Sequence, residues 1–294
     1  MAMAVLAHTQ VLLPLYAYPG GAQMSPEWQA AVNAISNNSV LHFFVVINPN
    51  NGPQTSSDTA NSGQCTAPSD PNYVEHGCNL DWTTNVDKIN ALPNAQTIGY
   101  VRTGYGTRSA SDVKADITKW AAWNTANTWV AGRTANIKIH GIWFDETGTS
   151  KGNLTHYKDI ITFANASFQA KGTQPSADLF SMATAVVLRE TCWTDVSTGA
   201  QGDCPEPYTA FNYKTLSSGS GLPYDASLIS KSAVIVHRFH RPPTANNETL
   251  QEQLLGIAGL GLHSTYFTSG NRKTTIATPA TIGAFSEFLT KATQ

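Results

Sequence analysis

The sequence predicts an α/β protein: a (β/α)8 barrel of the TIM type with one strand unit irregular or missing. Three observations carry that expectation. Apolar runs of strand length alternate with segments of helical spacing, the pattern of βαβ units and a parallel sheet. The runs are apolar at consecutive positions, as strands covered on both faces require. They spread over 294 residues without a linker-like break, which suits one catalytic barrel domain over 1–294 better than an open doubly wound sheet or two domains.

The elements follow in order. Residues 1–10 read as an added or disordered start: they lack the basic segment of a secretory leader, and a native leader or anchor is expected to be missing. "VLLPLYAY" (11–18) is the first strand, and Trp28, Val32 and Ile35, at i, i+4 and i+7, mark a helix. "VLHFFVVINP" (40–49) is the second strand, followed by a long loop over 50–80. Trp82, Val86 and Ile89 give the next helix, and "AQTIGYVRT" (95–103) the third strand. Val113, Ile117 and Trp120 mark a helix whose start, Ser109-x-x-Asp112, resembles a capping box with Asp in place of Glu. Trp120, Trp123 and Trp129 are assigned to helix core and packing. "IKIHGIWFDE" (137–146), "LFSMATAVVL" (179–188), "SAVIVHRF" (232–239) and "LHSTYFT" (262–268) are the remaining strands, with helices over 154–170, 249–258 and 279–292. The eighth strand is expected within 175–192 or near 208–216. Loops 50–80 and 193–230 are expected to lie over the site.

Composition narrows the partners. Charged residues make up only 13% of the chain, about half the usual share of roughly 25%. Ser, Thr, Asn and Gln must supply the surface polarity, a bias common in secreted proteins. A net charge of −2 without any Lys/Arg run argues against nucleic acid and anionic membranes. No apolar run reaches the roughly 18 residues of a membrane helix. Four cysteines formally allow three pairings. The local one, Cys65–Cys78 and Cys192–Cys204, would staple two loops rich in Gly, Ser, Asp and Pro, as in extracellular proteins; free or buried thiols are the alternative. No C-x-x-C occurs, so zinc is not expected. Sequons at Asn37, Asn153, Asn165 and Asn247 fit a secretory route. The expectation is a secreted or cell-surface, glycosylated, disulfide-bonded monomer without cofactor or metal.

The stretch with most chemistry in it is "HGIWFDETG", residues 140–148. An apolar strand ends there on two adjacent acids, Asp145 and Glu146. Parallel barrels carry their active sites at the carboxyl ends of the strands. Successive strand residues face opposite sides, so one acid should enter the site while the other supports it or pairs with a neighbouring strand. Helix capping is the plainer alternative. The other strand ends favour chemistry: they deliver Tyr16 and Tyr18, Asn48, then Tyr100, Arg102 and Tyr105, then Glu190 and Trp193, then His237 and Phe239. Aromatic faces stack on sugar rings while acids and amides bind hydroxyls, so this is the inventory of a glycan cleft. Asp145 and Glu190 could perform glycosidic chemistry, with a separation of about 5–5.5 Å for retention or roughly 6.5–9.5 Å for inversion. Arg102 reads equally well as partner of an acid or of substrate. His237 and His240 lack the acid or cysteine that would complete a metal set. No G-x-S-x-G elbow occurs, and "GYGTRSASD" lacks a P-loop lysine. Glu206 is a loop acid held in reserve.

"PLYAYPG" (14–20), "VVINPNNGP" (45–53), "IGYVRTGYGTR" (98–108) and "GIWFDE" (141–146), with "VIVHRF" (234–239) and "GLGLHSTYFTSG" (259–270), together resemble the spherulin-4 family. The resemblance implies a (β/α)8 barrel and an endo-acting α-1,4-N-acetylgalactosaminidase that degrades galactosaminogalactan, a fungal exopolysaccharide of biofilms. It carries the family's acidic residues onto Asp145, Glu146 and Glu190. Two departures stand out: no Asn-Pro-Gly strand end lies between Glu146 and Glu190, and Thr268-Ser269 replaces a Thr-Asp end. In an α-linked N-acetylgalactosaminide the 2-acetamido group lies on the same face as the leaving oxygen. It cannot attack from behind, so the protein must supply a second carboxylate. The assignment is Asp145 as nucleophile or base, Glu190 as general acid, and Glu146 as the group that orients them. The competing readings are a non-catalytic glycan-binding barrel and a spore- or wall-coat protein.

Overall fold

The structure, a computed structural model, describes residues 9–20, 23–49, 51–53, 80–124, 129–130, 133–148, 150–168, 182–192, 213, 216, 226–239, 247–270 and 279–293. The chain forms two compact units: a first unit of Leu15–Trp28 with Phe44–Ala183, and a second of Met1–Pro14, Gln29–Phe43 and Thr184–Gln294.

In the first unit lie most of β2 (Phe43–Ile47), α2 (Leu80–Asn90), β3 (Ala95–Arg102), α3 (Ala110–Ala122), β4 (Trp129–Val130), β5 (Arg133–Thr134), β6 (Ile142–Asp145) and α4 (Leu154–Ser167). The strand order is β6-β3-β2. β3 and β6 run parallel, in a register that sets Tyr100 opposite Trp143 and Arg102 opposite Asp145. Val45, Val46, Ile47 and Val101 are fully buried, as a strand covered on both faces requires. Trp120 of α3 explains how that helix docks. Its indole N–H donates to the Tyr100 carbonyl at 2.9 Å. Its ring fills the space beside Gly99, where a Cβ would stand 2.6 Å from a ring carbon. α3 begins as its spacing predicts: Ser109 Oγ accepts from the Asp112 N–H at 3.2 Å. The short antiparallel pair β4–β5 has no counterpart in the sequence expectation.

In the second unit lie β1 (Gln10–Leu15) but for its last residue, most of α1 (Pro26–Asn37), β7 (Val186–Cys192), α5 (Ala226–Ile229), β8 (Ser232–His237), α6 (Asn247–Leu260), β9 (Ser264–Phe267) and α7 (Pro279–Thr293). The order is β1-β9-β8-β7, with β1–β9, β8–β9 and β7–β8 each paired in parallel. β8 has a strand on each side and is buried at all six positions. α6 and α7 pack together, and Phe285 of α7 stacks on Phe267 of β9 with ring centroids 6.1 Å apart.

Three expectations shift. The fifth strand covers 186–192 rather than 179–188, because its polar end Arg189-Glu190-Thr191 pairs in register with β8, after an irregularity between Val187 and Arg189. The strand ending on the two acids is half-buried at each of its positions; among the described residues its one strand neighbour is β3. α4 stops at Ser167 rather than 170. Of the segments expected to hold an eighth strand, the described part of 175–192 holds β7, while 175–181 and most of 208–216 lie outside the described residues.

Candidate functional site

The first unit gathers most of the expected side chains around the turn that follows β6. Strand geometry ends at Asp145, and Glu146 takes a left-handed conformation with φ 52°. That answers how two adjacent acids can serve one site: the left-handed residue breaks the alternation that would send them to opposite faces. A non-glycine residue pays of order 1–3 kcal/mol for such a conformation and keeps it only where surroundings hold it.

Those surroundings come from the loop after β3. Thr103, fully buried, donates its backbone N–H to the Asp145 carbonyl at 3.0 Å. Its hydroxyl lies 2.8 Å from the carbonyls of both Asp145 and Glu146. The Tyr105 N–H donates to the Glu146 carbonyl at 2.6 Å, and Tyr105 is itself left-handed, φ 56°. Two left-handed residues on neighbouring loops thus hold each other through one backbone bond. Tyr157 of α4 closes the turn by accepting the Gly148 N–H at 2.7 Å.

The carboxylates have different partners. Tyr100, almost fully buried, donates its hydroxyl to Asp145 Oδ2 at 2.7 Å. Burial first, and then the charge of Asp145 beside it, push the Tyr100 phenol well above its ordinary value, so it remains a donor at any working pH. Arg102 Nε donates to Glu146 Oε2 at 2.7 Å. That hydrogen bond, and then the charge of Glu146, raise the guanidinium above its ordinary value. Of its two sequence readings, Arg102 thus takes that of partner to an acid. Its guanidinium sets a positive charge beside the acid pair. Tyr16 packs edge-on against Tyr100 at 5.5 Å. Tyr18 donates its hydroxyl to Asp81 and meets Trp82 edge-on. Tyr18 and Tyr105 are 45% and 62% exposed, which leaves their rings available for stacking. Asn48 follows β2 half-buried, and its Oδ1 finds no hydrogen-bond partner among the described residues.

The second unit places Glu190 in β7 with His237 of β8. His237 Nε2 and Glu190 Oε1 lie 2.7 Å apart, the imidazole fully buried and the carboxylate 37% exposed. The sequence suggests His237 as a sugar contact. The structure buries it, with Glu190 as the partner of its Nε2. The two atoms form a hydrogen bond whose donor is set by the imidazole tautomer. Beyond His237 the strand end repeats the pattern of the first unit: Arg238 is left-handed, φ 55°. Its N–H donates to the Gly270 carbonyl at 2.9 Å.

Trp193, Glu206, His240, Cys65, Cys78 and Cys204 lie outside the described residues. Cys192 is disulfide-bonded. Among the described residues no group of His, Cys, Asp and Glu could hold a metal ion, and no helix is long and apolar enough to cross a membrane. Sequence reasoning missed Thr103, Tyr157 and Asn153, the residues that hold the turn. Thr103 had a signal in its position directly after β3, whereas Asn153 and Tyr157, at the start of α4 and within it, had none.

Comparison with known proteins gives the family of the chain. The family described as "Spherulation-specific family 4" matches residues 10–289. The chain is 27% identical to Spherulin-4 of Physarum polycephalum over 187 residues, which is 62% of this chain and 44% of that protein. The chain thus spans less than half the length of that relative. Among solved structures it is similar to Aspergillus clavatus Sph3 in complex with GalNAc, with TM-score 0.67, 20% identity and 98% of each chain covered. At that identity the likeness speaks to the fold: α/β, of the TIM-barrel type, with one strand unit irregular or missing.

Proposed function

Because this chain belongs to the spherulation-specific family 4, we propose that it is a secreted glycoside hydrolase. Its substrate in this reading is α-1,4-linked N-acetylgalactosamine in a fungal exopolysaccharide, galactosaminogalactan, cut by endo attack. The observation that carries the reading is the Asp145–Glu146 turn. Two partly exposed acids share a strained strand end, one held by a phenol and the other by a guanidinium. Helix capping would ask for neither partner nor strain, whereas pre-organised carboxylates at the carboxyl end of a parallel strand are what hydrolysis of a glycosidic bond needs. The structural relative that holds GalNAc supports the sugar class.

The roles follow from the partners. Tyr100 stabilises Asp145 as a carboxylate, the form a nucleophile or a base must have. Glu146 is tied to Arg102 and orients the turn. Glu190, hydrogen-bonded to His237 and partly exposed, takes the part of the general acid that protonates the leaving oxygen. Tyr18 and Tyr105 offer ring faces to the sugars. The local pairing Cys192–Cys204 and the extracellular location belong to the same proposal.

The test is a reducing-end and mass-spectrometric assay on galactosaminogalactan, with wild type beside Asp145→Asn and Glu190→Gln. Release of N-acetylgalactosamine oligomers by wild type, lost in both folded variants, supports the assignment. Binding of the polymer without shortening it would replace hydrolysis with the glycan-binding reading.

A further inference from the structure

Asn153 opens the sequon Asn153-Leu154-Thr155, the pattern of a surface asparagine awaiting a glycan. Its surroundings give it other work. Its Nδ2 donates to the Tyr105 carbonyl at 3.0 Å. The carboxamide is wedged between two glycines. A Cβ on Gly106 would stand 2.5 Å from Asn153 Nδ2, and one on Gly148 would stand 2.8 Å from the same atom. Gly106 is left-handed, φ 84°, and Gly148 follows the acid pair by two residues. The amide therefore fills a slot that spans the loop after β3 and the turn after β6.

Tyr105 is held at both ends of its peptide unit. Its N–H goes to the Glu146 carbonyl and its C=O receives Asn153. Between them stands a strained residue whose ring is 62% exposed. A residue in the left-handed region relaxes unless both bonds persist. Nothing else about Tyr105 requires strain: its ring is not packed into a core. The pairing of an exposed ring with a rigid, costly backbone points to a ring that must be aimed.

We propose that Asn153 is a positioning residue: it fixes the exposed ring of Tyr105 beside the Asp145–Glu146 turn as a platform for a sugar ring. The consequence for substrate depends on the glycan reading above; the consequence for backbone order does not.

Asn153→Asp tests this with little change in shape. It replaces the donor by a carboxylate oxygen facing the Tyr105 carbonyl. The first readout is hydrogen exchange at the Tyr105 amide, which needs no substrate. Exchange at least about tenfold faster in the variant, with the Thr103 amide unchanged, is expected from local opening. The second is kinetics on N-acetylgalactosamine oligomers beside Tyr105→Gly, which deletes the ring while tolerating the backbone. Each single variant should raise KM roughly tenfold with kcat within about twofold, and the double variant should be no worse than either, because residues acting through one contact are not additive. Unchanged exchange at Tyr105, or single effects that multiply in the double variant, would overturn the assignment. Oligomers that wild type neither binds nor cuts would overturn the glycan reading instead, and the exchange result would still decide for or against Asn153.

Discussion

Removing one oxygen atom, by Tyr100→Phe, tests how the acid pair is tuned. The Tyr100 hydroxyl donates to Asp145 Oδ2 at 2.7 Å, the short distance of a bond to a charged acceptor. The variant keeps everything else the residue does. The ring still packs edge-on against Tyr16, and the carbonyl still receives the Trp120 indole. What is lost is a bond to the ionised carboxylate, worth about 1.5–3 kcal/mol. A bond to the charged form favours that form, so without it the carboxylate protonates more readily and a higher pH is needed to ionise it. At 1.36 kcal/mol per pH unit, the acid limb of the kcat/KM profile should move up by about one to two units. The assay is kcat/KM on N-acetylgalactosamine oligomers from pH 3 to 8, wild type beside the variant, with near-ultraviolet circular dichroism to show that the fold is kept. The alkaline limb should stay where it is. An acid limb that does not move, in a folded variant with reduced activity, would refute Asp145 as the group whose ionisation limits the reaction.

Two further outcomes follow from the packing. His263 is held below its ordinary imidazole value, first by burial and then by His42. A depressed folded value means that its contribution to stability is present above about pH 6.5 and is lost as pH falls through the folded value, where the unfolded chain binds the extra proton. Thermal stability should thus fall below about pH 6.5, and less so in His263→Gln; a parallel loss in both proteins would assign the effect elsewhere. Gly99→Ala would bring a methyl group 2.6 Å from the Trp120 ring, and overpacking of this kind typically costs about 1–3 kcal/mol. A lower denaturant midpoint with unchanged slope is expected, and an unchanged midpoint would mean that α3 can slide.

The strands were legible because burial on both faces writes itself as unbroken apolar runs: "FFVVI" and "SAVIVH" stand where the sequence puts them. β7 was misplaced for the opposite reason. Its second half, Arg189-Glu190-Thr191, is polar, and what makes it strand is pairing with β8, a partner 45 residues away that no local window sees. The capping box of α3 was readable because cap and helix are neighbours in sequence. The β4–β5 pair, two residues a side, is too short to leave a periodic signal.

For the site, the sequence named the groups and missed what holds them. Asp145, Glu146, Tyr100 and Arg102 were visible as chemistry at strand ends. Their connections were not, because a hydrogen bond such as that of Tyr100 to Asp145 spans 45 positions. The adjacency of the two acids looked like a conflict, since a strand must point them apart. The structure resolves it by ending the strand between them, and the cost of that choice tells which residues matter next. A left-handed glutamate needs bonds on its carbonyl, and Thr103 and Tyr105 supply them. A left-handed tyrosine needs the same, and Asn153 supplies it. Each strained residue thus requires one more residue to hold it. Following that chain leads from an acid pair that chemistry would have picked out to an asparagine that the sequence advertised only as a glycan acceptor.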